Sequence, residues 1–172
     1  MANNKSCCSC KSGCCSVKKS TKDIVIDFLY LDLTICERCK GTENNLDEAI
    51  NEVSGVLKSA GYNTTVNKIN ITSKELANKY MFLSSPTIRI NGKDIVVELK
   101  ESLCENCGDL CGENVDCRVW TYEGVDYTEP PKELIINTIL KEIYSAKKII
   151  EIKKDEYKLP HNLEVFFEGK NK

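Results

Sequence analysis

Two cysteines that directly follow an apolar segment constrain the fold of this chain more than any other feature. Residues 24–31 read IVIDFLYL, a run of apolar residues that predicts a buried β-strand. Cys36 and Cys39 follow that strand and are separated by two residues. Fifty positions after Cys36, Pro86 opens a second apolar strand. We interpret the two cysteines and the proline as parts of one site.

A C-x-x-C pair between a strand and a helix is typical of a thioredoxin-like fold, in which a cis-proline faces the dithiol. We therefore predict thiol–disulfide exchange, in which the Cys36 thiolate attacks a substrate disulfide and Cys39 resolves the mixed disulfide. Pro86 would leave the neighbouring backbone free to pair with substrate. The expected partners are protein or small-molecule disulfides and a thiol reductant, and the exchange requires no cofactor.

The residues after the dithiol suggest a weaker site. Gly41 and the pair Asn44-Asn45 are poor helix formers, so the helix is expected to begin only near Asn45. Cys36 would then lose much of the helix dipole that lowers a thiol pKa. Two buried structural thiols, or half of a metal site, remain alternatives for Cys36 and Cys39.

Composition indicates redox or metal chemistry in a reducing compartment. The chain has 172 residues, 11 cysteines and one histidine. No segment reaches the roughly 18 apolar residues of a membrane span, and the N-terminus has no apolar signal core. We predict a cytoplasmic protein without membrane or nucleic-acid partners. Because standing disulfides are disfavoured in the cytoplasm, we interpret the cysteines as redox or metal-binding residues and not as structural cross-links.

Periodicity predicts an α/β fold with the element order β-α-β-α-β-β-α, in which a central four-stranded mixed sheet is flanked by helices. Helices are predicted from about 45 to 60, 73 to 80 and 130 to 150, and a hairpin at Asn91-Gly92 joins strands 87–90 and 94–99. The predicted organisation is a disordered Cys/Lys-rich tail (1–22), a thioredoxin-like domain (23–150) that contains a Cys-rich insertion (100–129) with a hairpin, and a C-terminal extension (151–172) docked on the domain.

The topology places the insertion beside the dithiol. In such a sheet the first strand ends at Cys36, the antiparallel third strand starts at that end, and the fourth strand returns to it. The insertion after Leu99 should therefore emerge on the Cys36 side. Its four cysteines are thus predicted neighbours of the dithiol: Cys104, Cys107, Cys111 and Cys117.

These four cysteines allow more than one chemistry. They are close enough in sequence to bind one tetrahedral zinc or other soft metal ion, although structural zinc sites mostly separate two pairs by a dozen or more residues. The surrounding acidic residues disfavour free thiolates, a penalty that a bound cation would reverse. A disulfide relay to Cys36 and Cys39, or inert thiols, remain alternatives.

The N-terminal tail leaves a similar choice. Its five cysteines suit thiophilic ions such as Cu(I), Zn(II) or arsenite, or they belong to a leader without a fixed role. The main rival to exchange is therefore a protein that binds or sequesters a thiophilic metal or metalloid without turnover.

Three segments resemble a known family. They are residues 28–42 (FLYLDLTICERCKGT), 116–120 (DCRVW) and 160–163 (PHNL). Together they resemble an uncharacterised prokaryotic thioredoxin-like family carried under a domain-of-unknown-function label. The resemblance covers residues 24–168 and leaves the tail outside. It implies the fold and a dithiol at Cys36 and Cys39, and it brings no substrate.

Overall fold

The computed structural model describes residues 21–145 and 157–170. Its main sheet is mixed and four-stranded, in the order β2-β1-β3-β4. β1 pairs in parallel with β2 and antiparallel with β3, and β4 pairs antiparallel with β3. The strands are β1 (Lys22–Tyr30), β2 (Tyr62–Asn70), β3 (Thr87–Ile90) and β4 (Lys93–Asp94). The predicted α/β architecture with a mixed four-stranded sheet is confirmed.

Five helices lie within the described residues: α1 (Glu37–Ser59), α2 (Lys74–Tyr80), α3 (Glu105–Cys111), α4 (Lys132–Tyr144) and α5 (His161–Lys170). The N-cap of α2 is Ser73, whose hydroxyl accepts a hydrogen bond from the Leu76 N–H at 3.3 Å. The last residues of the helix predicted to reach 150 lie outside the described residues. None of the described helices is both long and apolar enough to cross a membrane.

The late helix start expected at Asn45 is wrong. α1 begins at Glu37, with Cys36 as its N-cap, and the Lys40 N–H donates to the Cys36 carbonyl at 3.1 Å. Tertiary contacts override the weak local propensity. The Asn45 side chain donates to the Pro130 carbonyl at 3.0 Å, and the Glu129 side chain occupies the space that a Cβ at Gly41 would fill.

The fourth strand is shorter than the predicted 94–99. The Asn91-Gly92 turn forms as expected, and both of its residues have positive φ. Beyond it, the Asp94 carboxylate accepts hydrogen bonds from the Val96 N–H at 3.1 Å and the Arg118 guanidinium at 2.7 Å. These bonds turn the chain out of the sheet after Asp94, and the chain reaches the insertion without a longer strand.

The insertion forms a second, antiparallel sheet in the order β5-β6-β7. Its strands are β5 (Lys100–Leu103), β6 (Asp116–Tyr122) and β7 (Val125–Tyr127), and α3 connects β5 to β6. Trp120 on β6 is fully buried in the core that joins the main sheet to α1 and α4. A second core surrounds the cysteines and includes Phe166 and Phe167 of α5.

Candidate functional site

Four cysteine thiols from three separate segments meet in the interior. Cys36 precedes α1, Cys104 and Cys107 begin α3, and Cys117 lies on β6. Their sulfur atoms all lie within 4.8 Å of one another, with 3.9 Å between Cys36 and Cys104 and 3.6 Å between Cys107 and Cys117. All four side chains are buried. We call this group the four-thiol cluster.

Local backbone structure explains how α3 contributes two members. Cys104 is the N-cap of α3, and its carbonyl accepts the Gly108 N–H at 3.0 Å. Its own N–H donates to the Val115 carbonyl at 2.8 Å, which fixes the start of α3 against the segment before β6. Cys107 lies one turn later and faces Cys117 on β6. The return of the chain through Val115 therefore closes the cluster.

Two sequence-predicted cysteines lie outside the cluster. The Cys39 thiol is fully buried and lies 3.4 Å from the Ser85 hydroxyl oxygen. The Cys111 thiol donates to the backbone carbonyls of Glu113 at 3.5 Å and Gly108 at 3.8 Å. The sequence grouped Cys111 with the other three insertion cysteines, whereas the structure places Cys36 in that position. All six cysteines within the described residues are free thiols.

The predicted proline lies beside this group. The Ser85–Pro86 peptide bond is cis, and both residues are buried. The backbone next to Pro86 was expected to pair with substrate. Instead, the Ser85 carbonyl accepts a hydrogen bond from the Arg118 N–H of β6 at 2.7 Å. The insertion therefore occupies the backbone position that the sequence analysis assigned to a substrate.

Close packing of the thiols divides their charge unevenly. Hydrogen bonds from neighbouring thiols, first that of Cys104, hold the pKa of Cys36 well below its usual range. The interaction with Cys107 lowers the pKa of Cys104 to about 7. The pKa values of Cys107 and Cys117 are raised, chiefly by their interactions with Cys104. The cluster therefore favours negative charge on Cys36 and the protonated form of Cys107 and Cys117.

Arg38 joins the two halves of the site. Its guanidinium donates to the Leu103 carbonyl at 2.8 Å, to the Ser102 hydroxyl at 2.9 Å and to the Cys117 carbonyl at 3.4 Å. Ser102 and Leu103 precede Cys104 in the chain, and the third acceptor is the carbonyl of Cys117 itself. Arg38 lies between Cys36 and Cys39 in the first motif, so it links that motif to the insertion. From the sequence, Arg38 is only a nearby positive charge, and nothing in the spacing identifies its backbone partners.

Asn162 fixes the opposite side of the insertion. Its side-chain oxygen accepts the Asp116 N–H at 2.9 Å, and its amide nitrogen donates to the Asp116 carbonyl at 2.7 Å. α5 is thereby attached to β6 one residue before Cys117. The PHNL and DCRVW segments contained these two residues, but the sequence did not show that they pair.

The cluster fits a tetrahedral metal ion. With metal–sulfur bonds of about 2.3 Å, a four-thiolate zinc site separates its sulfur atoms by about 3.8 Å. The 3.6 and 3.9 Å separations lie on either side of that value, and the remaining pairs lie within 4.8 Å. Within residues 21–145 and 157–170, no other group of Cys, His, Asp or Glu side chains is arranged in this way. The residues that could hold a metal are therefore Cys36, Cys104, Cys107 and Cys117.

Comparison with known proteins identifies a family and leaves the chemistry open. No curated protein and no solved structure matches this chain significantly. A family model described as a domain of unknown function (DUF2703) matches residues 24–139, a span that contains the main sheet and all four cysteines of the cluster. Because that match covers more than half of the chain, the protein belongs to the DUF2703 family.

Proposed function

We propose that this protein binds one thiophilic metal ion, preferably Zn(II), through the thiolates of Cys36, Cys104, Cys107 and Cys117. The observation that supports this most strongly is the mutual proximity of four buried thiols from three separate segments. Thiolates select soft metals, and a tetrahedral four-sulfur arrangement suits zinc. A bound ion would offset part of the negative charge of the thiolates and would cross-link α1, α3 and β6. Binding without turnover, rather than catalysis, follows from this arrangement.

Thiol–disulfide exchange is the second candidate. It is supported by Cys36 at a helix N-cap, Cys39 one turn later and the cis bond before Pro86. These features also lead us to propose a thioredoxin-like fold for the main sheet and its helices. However, a reactive cysteine needs access to its substrate, and Cys36 and Cys39 are both fully buried. A substrate disulfide could reach them only if α3 and β6 moved away.

Free thiols and a soft metal partner both fit a reducing compartment, so we propose that the protein works in the cytoplasm. The acidic residues that flank the cluster do not compete as ligands, because thiolates bind soft metals more strongly than carboxylates do. Copper(I) and arsenite are the other thiophilic ions to be compared with zinc.

The test is metal content measured on the full chain, purified anaerobically, with the five tail cysteines replaced by serine in every sample. We expect about one zinc per chain and, after exchange with Co(II), the absorption of a four-thiolate tetrahedral site. Cys36→Ser should lose stoichiometric metal, whereas the matched variant Cys111→Ser should retain it. The opposite pattern would assign the site to the four cysteines of the insertion.

Disulfide reductase activity separates the two candidate functions. Metal-free, reduced protein and its Cys36→Ser variant are compared with a dye-labelled disulfide substrate. Under the metal-binding proposal, turnover remains close to that of an ordinary free thiol in both samples. Rapid turnover that Cys36→Ser abolishes, in a protein that retains no zinc, would replace metal binding with exchange.

A further inference from the structure

Among the cysteines that the structure describes outside the cluster, Cys39 is the one that shares a C-x-x-C motif with Cys36. Its thiol is fully buried in the same core as Cys36, and interaction with the Cys36 thiol raises the pKa of Cys39. Cys111, the other outside cysteine, directs its thiol toward the backbone of α3 and Glu113 instead. A metal ligand with a free thiol beside it is chemically different from a ligand surrounded only by other ligands.

Resting on the metal site proposed above, we propose that Cys39 makes metal binding sensitive to oxidation. A disulfide between Cys36 and Cys39 removes Cys36 from the four-thiol cluster, and the metal is then released. The protein would therefore hold its metal while reduced and give it up when a small peroxide oxidises this pair.

The backbone places the two cysteines one helical turn apart at the start of α1. Cys36 has an extended N-cap conformation, with φ −78° and ψ 105°, and Cys39 lies one turn into α1. A disulfide between Cys36 and Cys39 removes only one ligand, Cys36, from the proposed metal site. A disulfide between Cys104 and Cys107 would remove two ligands at once, so metal binding opposes that pairing more strongly.

Ser85 prepares Cys39 for the reaction. The Ser85 hydroxyl oxygen accepts the Leu31 N–H at 3.2 Å, so its own proton is free to point elsewhere. The Cys39 sulfur lies 3.4 Å from that oxygen, within hydrogen-bond distance of the hydroxyl. A donor at this position stabilises negative charge as Cys39 becomes a nucleophile. Ser85 is therefore a positioning residue for oxidation and does not contact the proposed metal ligands' sulfurs.

The chemical step balances with hydrogen peroxide as the oxidant. The Cys36 thiolate attacks one peroxide oxygen, the O–O bond breaks, and the products are a Cys36 sulfenic acid and hydroxide. The Cys39 sulfur then attacks the Cys36 sulfur, the S–O bond breaks, and the Cys39 proton leaves with the oxygen as water. Two electrons pass from the two sulfurs to the peroxide, and the metal keeps its oxidation state.

A surface cleft reaches Cys104 of the four-thiol cluster. An open cleft of about 610 Å³ is lined by Leu103, Cys104, Glu105 and the turn that follows α3. Cys36 lies directly behind Cys104, with 3.9 Å between their sulfurs. A peroxide needs only a small opening beside Cys104, whereas a protein disulfide needs far more space.

The experiment measures zinc release from the zinc-loaded full chain after addition of hydrogen peroxide. The tail cysteines Cys7, Cys8, Cys10, Cys14 and Cys15 are replaced by serine in all samples, a zinc-binding dye follows release, and mass spectrometry maps disulfides. We expect about one zinc per chain to be released together with a Cys36–Cys39 disulfide. Cys39→Ser should bind zinc equally well but release it about tenfold more slowly, because its sulfenic acid has no resolving thiol. Cys111→Ser should behave like the parent protein.

The outcomes distinguish this inference from the metal site itself. Equal release rates in Cys39→Ser and the parent, or a Cys104–Cys107 disulfide as the product, would overturn the inference and leave zinc binding intact. A chain that binds no zinc before oxidation would overturn both. If Cys39→Ser does not fold, the disulfide map of the parent protein and slower release in Ser85→Ala provide the same decision.

Discussion

The two C-x-x-C motifs of this protein begin their helices in the same way and contribute differently to the site. Cys36 is the N-cap of α1 and Cys104 is the N-cap of α3, and in each motif the second cysteine lies one turn later. Only Cys36 of the first motif joins the four-thiol cluster, whereas both cysteines of the second do. The C-x-x-C spacing determines the local backbone of each motif. Whether the second cysteine joins the cluster depends on the residue that faces it, which is Ser85 for Cys39 and Cys117 for Cys107.

The two motifs also differ in what holds them in place. α1 has 23 residues and buries an apolar face, including Leu46, Val53 and Leu57, against the main sheet. α3 has seven residues, and its buried side chains are Cys107 and Cys111. Because a seven-residue helix is not stable alone, the second motif depends on its thiols and on α5 for support.

The largest expected effect of this difference is on metal removal. Chelation should leave most of α1 intact and loosen residues 100–117, since metal binding supplies much of the folding free energy of such small segments. Hydrogen exchange should show amide protection in residues 100–117 falling by about 100-fold or more, against less than about tenfold for the middle of α1. Equal loss in both regions would show that the two motifs unfold as one unit.

The next effect concerns the bridge between the motifs. Arg38→Ala removes charged hydrogen bonds to Ser102, Leu103 and Cys117, and we expect a loss of about 1.5–3 kcal/mol of unfolding free energy. Zinc affinity should fall by roughly 10- to 100-fold, as for other groups that support metal ligands.

The matched control for Arg38 is Lys40→Ala, two positions further along α1. This substitution removes an exposed ion pair between Lys40 and Glu37. Its effect on unfolding should be at most about 1 kcal/mol. Denaturant titration and competition with a zinc dye measure both quantities. Similar losses in the two variants would mean that the charge near α1 matters, and the specific backbone contacts of Arg38 do not.

A smaller effect tests how α5 supports the second motif. A Cβ at Gly169 would collide with the Cys111 carbonyl and approach the Cys111 Cβ to 2.8 Å, so Gly169→Ala must push α5 away from α3. We expect a loss of about 1–3 kcal/mol in unfolding free energy. Gly55→Ala, in open space on α1, should instead stabilise by about 0.5–1 kcal/mol. Urea unfolding measures both changes in unfolding free energy. Changes of the same sign in the two variants would contradict close packing of α5 on α3.

Local patterns were sufficient to predict much of the fold and only part of the site. The buried strand before the dithiol, the short helix predicted from about 73 to 80 and the Asn91-Gly92 turn each depend on a few adjacent residues, and each is present. The cluster membership depends on contacts between distant residues. Cys111 lies four positions after Cys107, so periodicity puts both on one face of α3. At Cys111, however, α3 packs against Gly169 of α5. The fourth thiol of the cluster comes from Cys36 instead.

The smallest effect concerns the loop that leads into the first motif. Burial alone would raise the pKa of Asp32, but hydrogen bonds from the Thr34 hydroxyl and from the N–H groups of Thr34 and Ile35 lower it overall. A carboxyl with a lowered folded pKa contributes stability above its unfolded pKa of about 3.9, and that contribution is lost as pH falls through the folded value. Asp32→Asn should therefore cost about 0.5–1 kcal/mol at pH 7, and the cost should shrink progressively as pH falls below about 3.9 and through the lowered folded pKa. Urea unfolding of both proteins across this range measures the difference. A cost that stays constant with pH would mean that the shape of the side chain, and not its charge, orders the approach to Cys36.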